Sequence, residues 1–276
     1  ALLLLLAARS ASLRLTGIRA VSLDITGTLL STREPVVKSY HDAALWARLP
    51  DPPSRAEMKA AFKTAYYERN LESPCFGGVE GISGREWWRA TVRRVLELCG
   101  RRYSDREFDR YFRRVFQHFG SPKGYMVLDD AAAFLADPPA GVLLGICSNT
   151  PTRHAESVLP MLGIHEQFAW CTCSQDVGVE KPAPEIFADA YEKARFWIPD
   201  LEKHEVLHVG DSLAADFCGA RAFGFRALLL DRSENPSVTQ YQTWLDAPDY
   251  PGKSEADIRE GTITSLLDIE LAGTGT

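Results

Sequence analysis

Six residues, far apart in the chain, carry the side chains that a phosphoryl-transfer centre requires. Asp24 ends a short apolar run and is followed by Ile25, Thr26, Gly27 and Thr28. Ser148 and Asn149 end a second apolar run, and Asp211 follows Gly210 at the end of a third. Lys181 lies between these last two in a Pro-flanked loop, and Asp216 comes five residues after Asp211. A carboxylate at the end of a buried strand, followed by a glycine turn rich in free N–H groups, suits an aspartate nucleophile facing a phosphate. Taken singly, each residue has a plainer reading. Asp24 would be a turn residue, Ser148 and Asp211 helix caps, and Lys181 a solvated lysine. Only their convergence would make a site. Such a site would combine a nucleophile, a hydroxyl, a cation and a carboxylate pair able to hold a hard metal ion.

The elements that must bring them together read as alternating strands and helices. Strand-like runs at 21–23, 142–147, 168–173, 206–209 and 227–230 alternate with helical segments at 129–135, 152–162, 184–194 and 214–223. A helix is also expected at 262–271, and loop over most of 233–261. Such alternation implies right-handed crossovers and a parallel sheet, with every strand's carboxyl end at one edge. Residues 34–128 have a different pattern. Three capping boxes, Ser54 with Glu57, Ser83 with Glu86 and Ser104 with Glu107, start three helices. A stripe of Phe108, Tyr111, Phe112, Val115, Phe116 and Phe119 marks one apolar helix face. With a helix at 37–48 this makes a four-helix insert after the first strand. The expected fold is α/β: a Rossmann-like parallel sheet core, residues 18–32 and 127–276, with an inserted helical cap, residues 33–126. Trp87 and Trp88 are adjacent, so one should pack and the other reach an edge or the site side of the cap.

A formal net charge of −6 argues against a nucleic-acid or anionic-membrane partner. No run of about 20 apolar residues suggests a membrane span. Six cysteines in 276 residues do not form a disulfide scaffold. No Cys or His cluster completes a zinc site, and none of the six histidines has ligand spacing. Residues 1–17 have a Leu run, three spaced arginines by position 19 and no acid. They read as a leader, either an organelle-targeting remnant or a disordered end. The expected setting is a soluble intracellular protein, in cytoplasm or nucleus or imported into an organelle, as monomer or homodimer.

In their order, four motifs resemble those of the haloacid dehalogenase-like hydrolase superfamily: Asp24-Ile-Thr26-Gly27-Thr28-Leu29; Ser148-Asn149; Lys181-Pro182 with Pro184 and Phe187; and Gly210-Asp211 with Asp216. The tryptophan pair and the layout resemble its domain-containing protein 3 group. The resemblance implies an Mg²⁺-dependent phosphatase acting on a small phosphorylated metabolite. Asp24 would attack phosphorus and form an aspartyl-phosphate. Mg²⁺ would sit between Asp24, the Thr26 carbonyl and Asp211, with Asp216 a further ligand or the holder of Lys181. Ser148 and the N–H groups near Gly27 and Asn149 would hold phosphate oxygens, and Lys181 would neutralise charge.

Position 26 departs from the pattern, because phosphatases of this superfamily usually carry a second Asp there as general acid and base. A threonine hydroxyl cannot serve near neutral pH. General acid–base help is worth roughly 10²–10⁴-fold, so slow hydrolysis, or hydrolysis limited to good leaving groups, is implied. The segment also resembles the phosphorylation motif of P-type ATPases, where Thr occupies this position. Two alternatives stay open: a metal-free 2-haloacid dehalogenase, and a weakly active or non-catalytic phosphate-binding protein.

Overall fold

The computed structural model describes residues 13–233 and 247–272. Its centre is a six-stranded sheet in which every pairing is parallel. The strands are β2 (Ala20–Leu23), β5 (Leu143–Ser148), β6 (Trp170–Cys173), β7 (Val206–Gly210), β8 (Arg226–Leu230) and β9 (Thr262–Ile263), in the order β6-β5-β2-β7-β8-β9. From β2 the chain winds one way through β5 and β6 and the other way through β7 to β9. The carboxyl end of β2 therefore lies at a topological switch point, where open α/β sheets form their crevice.

Alternation of side chains explains the layering. Val21, Leu23, Leu144, Ile146, Leu207, Val209, Leu228 and Leu230 belong to one apolar cluster, with Phe134 and Leu159 from covering helices. Ala20, Cys147, Val206, Ala227 and Leu229 belong to the other, with Ile186, Phe187, Ala190 and Phe217. A sheet buried on both faces needs near-continuous apolar strands, and these short runs supply them.

The covering helices of the core are α5 (Asp129–Ala136), α6 (Leu159–Met161, entered through a π-helical turn His154–Val158), α7 (Ser174–Val177), α8 (Pro184–Trp197) and α9 (Gly219–Phe223, entered through Leu213–Cys218). A short antiparallel ribbon, β3 (Leu30–Thr32) with β4 (Tyr125–Val127), is the neck through which the chain leaves and re-enters the core. Between its strands lie α1 (Val36–Trp46), α2 (Arg55–Glu72), α3 (Gly84–Leu98) and α4 (Asp105–His118). All three capping boxes form, each with the Ser side chain accepting from the N3 amide and the Glu reaching back. Trp87 is fully buried and its indole N–H donates to Ser73 O at 2.7 Å, whereas Trp88 lines an internal cleft.

Two expectations are corrected at the ends of the chain. Residues 262–271 do not form a helix. They give β9, a turn at Leu266–Asp268 and β10 (Ile269–Ala272), which pairs in parallel with β1 (Leu13–Thr16). Thr262 and Ile263 are β-branched and continue the sheet edge, and Ser265 caps the turn, so a continuous helix is interrupted. β1 also means that part of the supposed leader is a strand; residues 1–12 lie outside the described residues. The loop expected over 233–261 contains α10 (Glu255–Glu260), started by Ser254 accepting from Asp257 N, while 234–246 lie outside the described residues. No helix among the described residues is long and apolar enough to cross a membrane.

Candidate active site

Register builds the site. Leu23 pairs with Ile146 on one side and with Val209 on the other. One step further along, Asp24 lies between Cys147 and Gly210, with Ser148 and Asp211 just beyond. Asp24, Asp211 and Asp216 each offer an oxygen within 4.8 Å of the others. Two glycines allow this crowding. A Cβ on Gly27 would stand 2.1 Å from Asp211 Oδ2, and Gly27 also has φ +89°. A Cβ on Gly210 would stand 2.2 Å from Asp216 Cγ.

Lys181 reaches into this cluster. Its Nζ donates to Asp24 Oδ1 (2.8 Å), Cys147 O (2.8 Å) and Asp216 Oδ1 (2.5 Å), and the residue is 4 % exposed. Burial opposes its charge, but Asp216 and Asp24 outweigh that and hold the ammonium well above its ordinary value. The loop is held from behind by Asn149. Its amide donates to Lys181 O (2.9 Å) and accepts from Lys181 N (2.7 Å). The Asn149 side chain therefore positions the lysine and is not free for a phosphate.

Asp216 is also committed. Oδ1 accepts from Lys181 and from His208 Nε2 (3.0 Å), and Oδ2 accepts from Ser212 N (2.9 Å). Against burial, Lys181 and His208 hold its carboxyl far below the carboxylate range. Of the two roles implied for Asp216, this geometry favours holding Lys181. His208 lies beneath, fully buried on β7 and kept neutral by burial, with Nδ1 3.1 Å from Ser22 Oγ. For Asp216 to accept from Nε2, Nε2 carries the proton and Nδ1 accepts from Ser22. Sequence reasoning assigns no role to His208, which two residues of β7 separate from Asp211.

The remaining residues are less uniform. Ser148 is fully buried; its hydroxyl favours the Asp24 carboxylate, yet among the described residues no hydrogen bond of ordinary geometry holds it. Gly27 N–H donates to Leu30 O (2.8 Å), so it is spent inside the loop rather than free for a phosphate oxygen. Thr26 is exposed and faces the cleft. Arg232, missed in the sequence, clamps the nucleophile loop from below. It donates to Gly27 O and Thr28 O while forming a bidentate pair with Asp130.

Three carboxylates, Asp24 and Asp216 buried and Asp211 half-buried, crowd around one lysine that pairs with the first two. Burial, then repulsion from Asp24 and Asp216, pushes Asp211 up to about 7. Burial also raises Asp24, although Lys181 opposes it. This excess of negative charge on hard oxygens is a donor set that fits a divalent cation such as Mg²⁺.

A cleft of about 550 Å³ lies between the neck, the cap and the segment after β5, and Thr26 and Asn149 are among its lining residues. His154, on its wall, is pushed down to about 4 by burial and then by Arg153. Its Nδ1 has no hydrogen-bond partner among the described residues. The unfolded chain protonates this histidine near 6.5, whereas the folded one resists until about 4. Stability should therefore fall as pH drops through that window, by about 2 kcal/mol at pH 5. Urea unfolding at pH 7 and pH 5 should show this loss in the wild type and a smaller one in His154→Gln. Equal losses would mean that another group carries the effect.

Residues 18–224 match the model of the haloacid dehalogenase-like hydrolases. The chain belongs to that family. This hydrolase is 30 % identical over 232 residues to haloacid dehalogenase-like hydrolase domain-containing protein 3 of Danio rerio, covering 84 % of this chain and 90 % of the relative. Its fold resembles a putative hydrolase, YfnB, of Bacillus subtilis, solved bound to magnesium (TM-score 0.59, 19 % identity, 91 % and 96 % of the two chains). It equally resembles L-2-haloacid dehalogenase of Xanthobacter autotrophicus (TM-score 0.59, 20 % identity, 91 % and 96 %). At such identities the structural likeness establishes the α/β fold and leaves the reaction to be argued from the site.

Proposed function

We propose that this hydrolase is an Mg²⁺-dependent phosphatase that passes the phosphoryl group of a phosphorylated metabolite to Asp24 and then to water. The observation that carries the reading is the set of three carboxylates within 4.8 Å of one another around one buried lysine. A carboxylate beside the nucleophile suits a metal-assisted phosphate site and has no evident use in displacing halide. Mg²⁺, held by Asp24, Asp211 and the Thr26 carbonyl, would offset charge on the phosphate. Asp24 attacks phosphorus, with one oxygen steadied by Lys181. The buried Ser148 hydroxyl, without an ordinary partner among the described residues, is placed to donate to a phosphate oxygen. Asp216, fixed by His208 and Ser212, holds Lys181 against Asp24. Thr26 provides no proton relay, so breakdown of the aspartyl-phosphate is the slow step.

A panel of phosphate esters and a short 2-halo acid, with Mg²⁺ and with EDTA, tests this. Ester hydrolysis that EDTA abolishes is expected. Because Asp211 ionises at about 7 in the metal-free site, protons compete with metal below that pH. The Mg²⁺ concentration for half-maximal activity should rise about tenfold from pH 6 to pH 5. Turnover of the halo acid in EDTA, with none of the esters, would overturn the proposal.

A further inference from the structure

We infer that the substrate is an aryl phosphate, a phosphate ester of a phenol, carrying a second anionic group on its ring; this rests on the phosphatase reading above. Two independent features of the site point the same way. The first is the cleft. Nine aromatic side chains line it, among them Tyr66, Trp88, Phe112, Phe116, Phe119 and Tyr125, and Thr26 is also in its lining. Trp88 lies 6.0 Å from Tyr66 and 6.3 Å from Phe76 between ring centroids, so aromatic faces and edges converge on the space. Polar groups also line the cleft, among them Thr152, Ser157 and Gln175, but a sugar ring would gain less from the aromatic wall on the cap side than a flat ring. A flat ring would stack on that wall.

The second feature is Thr26. A phosphatase lacking a general acid must expel its leaving group as an anion. A phenol ionises near pH 10, as tyrosine does, whereas an alkoxide is about as basic as hydroxide, near 15.7. For an aryl ester the steps close without residue 26. An Asp24 oxygen bonds to phosphorus, and the P–O(aryl) bond breaks with its electron pair leaving on the phenolate. Water then protonates the phenolate. A second water attacks phosphorus, releasing inorganic phosphate and restoring Asp24.

The ring's second charge is read from Arg85 and Arg153. Both line the cleft and both guanidinium groups lie over Phe116, at 5.2 and 3.7 Å from its centroid. Neither forms an ion pair among the described residues, and the one carboxylate in the lining, Glu156, pairs with neither. A carboxylate on the substrate ring would pair with Arg153, which is half-buried, while Arg85 stands exposed at the edge of the cleft.

Four esters separate ring from leaving group: phenyl phosphate, benzyl phosphate (ring, alcohol leaving group), acetyl phosphate (good leaving group, no ring) and butyl phosphate (neither). With Mg²⁺, phenyl phosphate should have the highest kcat/KM, by about 100-fold over butyl phosphate. Its KM should be at least about tenfold below that of acetyl phosphate. The 3- or 4-carboxyphenyl ester should exceed phenyl phosphate about tenfold, and Arg153→Met should erase that margin. Trp88→Ala should raise KM for phenyl phosphate; Phe116→Leu serves if the first variant does not fold. Equal KM values for phenyl and acetyl phosphate would overturn the ring-binding inference while leaving the phosphatase reading intact. A carboxyphenyl ester no better than phenyl phosphate would overturn the second charge. If no ester is hydrolysed, the phosphatase reading fails, and calorimetry with phenylphosphonate against methylphosphonate still decides the cleft. Tenfold tighter binding of the phenyl compound supports it, and equal binding overturns it.

Discussion

Asp24→Asn should abolish phosphate release, lowering kcat/KM by at least about 10⁴-fold, and should leave no acid-stable phosphoprotein after rapid quench with an aryl phosphate. The scale is that of removing a covalent nucleophile while the rest of the site stays in place. Asparagine fills the same space, so the fold should be retained. The physical argument goes further, because Asp24 is a costly residue for the metal-free protein. It is buried beside two other carboxylates, and Lys181 is the cation that pairs with it. Removing its charge leaves Lys181 paired with Asp216 and bonded to Cys147 O. The metal-free variant should therefore melt no lower than the wild type, and each 1 kcal/mol gained would add about 2–4 °C. The stabilisation that Mg²⁺ confers on the wild type should shrink in the variant, since one ligand oxygen loses its charge. A variant that keeps its phosphoprotein would move the nucleophile elsewhere, and one that melts well below the wild type would make Asp24 a structural residue instead.

What the sequence made legible follows from how each contact is encoded. Asp24 and Asp211 were readable because a parallel sheet fixes where strands end, and a polar residue ending an apolar run survives that logic without knowledge of partners. The cap helices were readable because Ser and Glu three residues apart form a local device. The supports of the site were not. Ser22 and His208 meet across 186 residues, and each sits inside an apolar strand where one polar residue reads as noise. Arg232 reaches back 205 residues to Gly27 O. The position of Asn149 suits its backbone N–H to a phosphate, but it does not reveal the further use of its side chain, the two hydrogen bonds to Lys181. The β1 and β10 strands failed for another reason. Four-residue strands lack enough period to declare themselves, and each is defined by a partner more than 250 residues away. The aromatic stripe of α4 reads in the sequence as one apolar face, which would suit the interior of the cap. Phe108 and Tyr111 lie there, but Phe112, Val115, Phe116 and Phe119 also wall the cleft, and periodicity cannot tell a packed face from the wall of a cavity.

Thr26→Asp should raise turnover by about 10²–10⁴-fold, and the size of the gain should depend on the leaving group. Thr26 is exposed on the loop between β2 and β3 and packs in no core cluster, so the change imposes no burial cost. Facing the cleft, a carboxyl there could protonate a departing alkoxide and then deprotonate the water that attacks the aspartyl-phosphate. For butyl or benzyl phosphate both steps gain. For phenyl phosphate only the second does, because the phenolate already leaves unaided. The wild type should therefore show a burst of phenol equal to the enzyme concentration before a slow steady state, and the variant should lose the burst as its intermediate turns over. The new carboxylate also adds negative charge near Asp24 and Asp211, whose burial already favours their neutral forms. The variant should consequently need Mg²⁺ more acutely than the wild type, with less activity remaining at limiting metal. A folded variant with an unchanged steady-state rate and an unchanged burst would show that proton transfer is not what slows this hydrolase. The aryl-phosphate inference would then rest on the cleft alone.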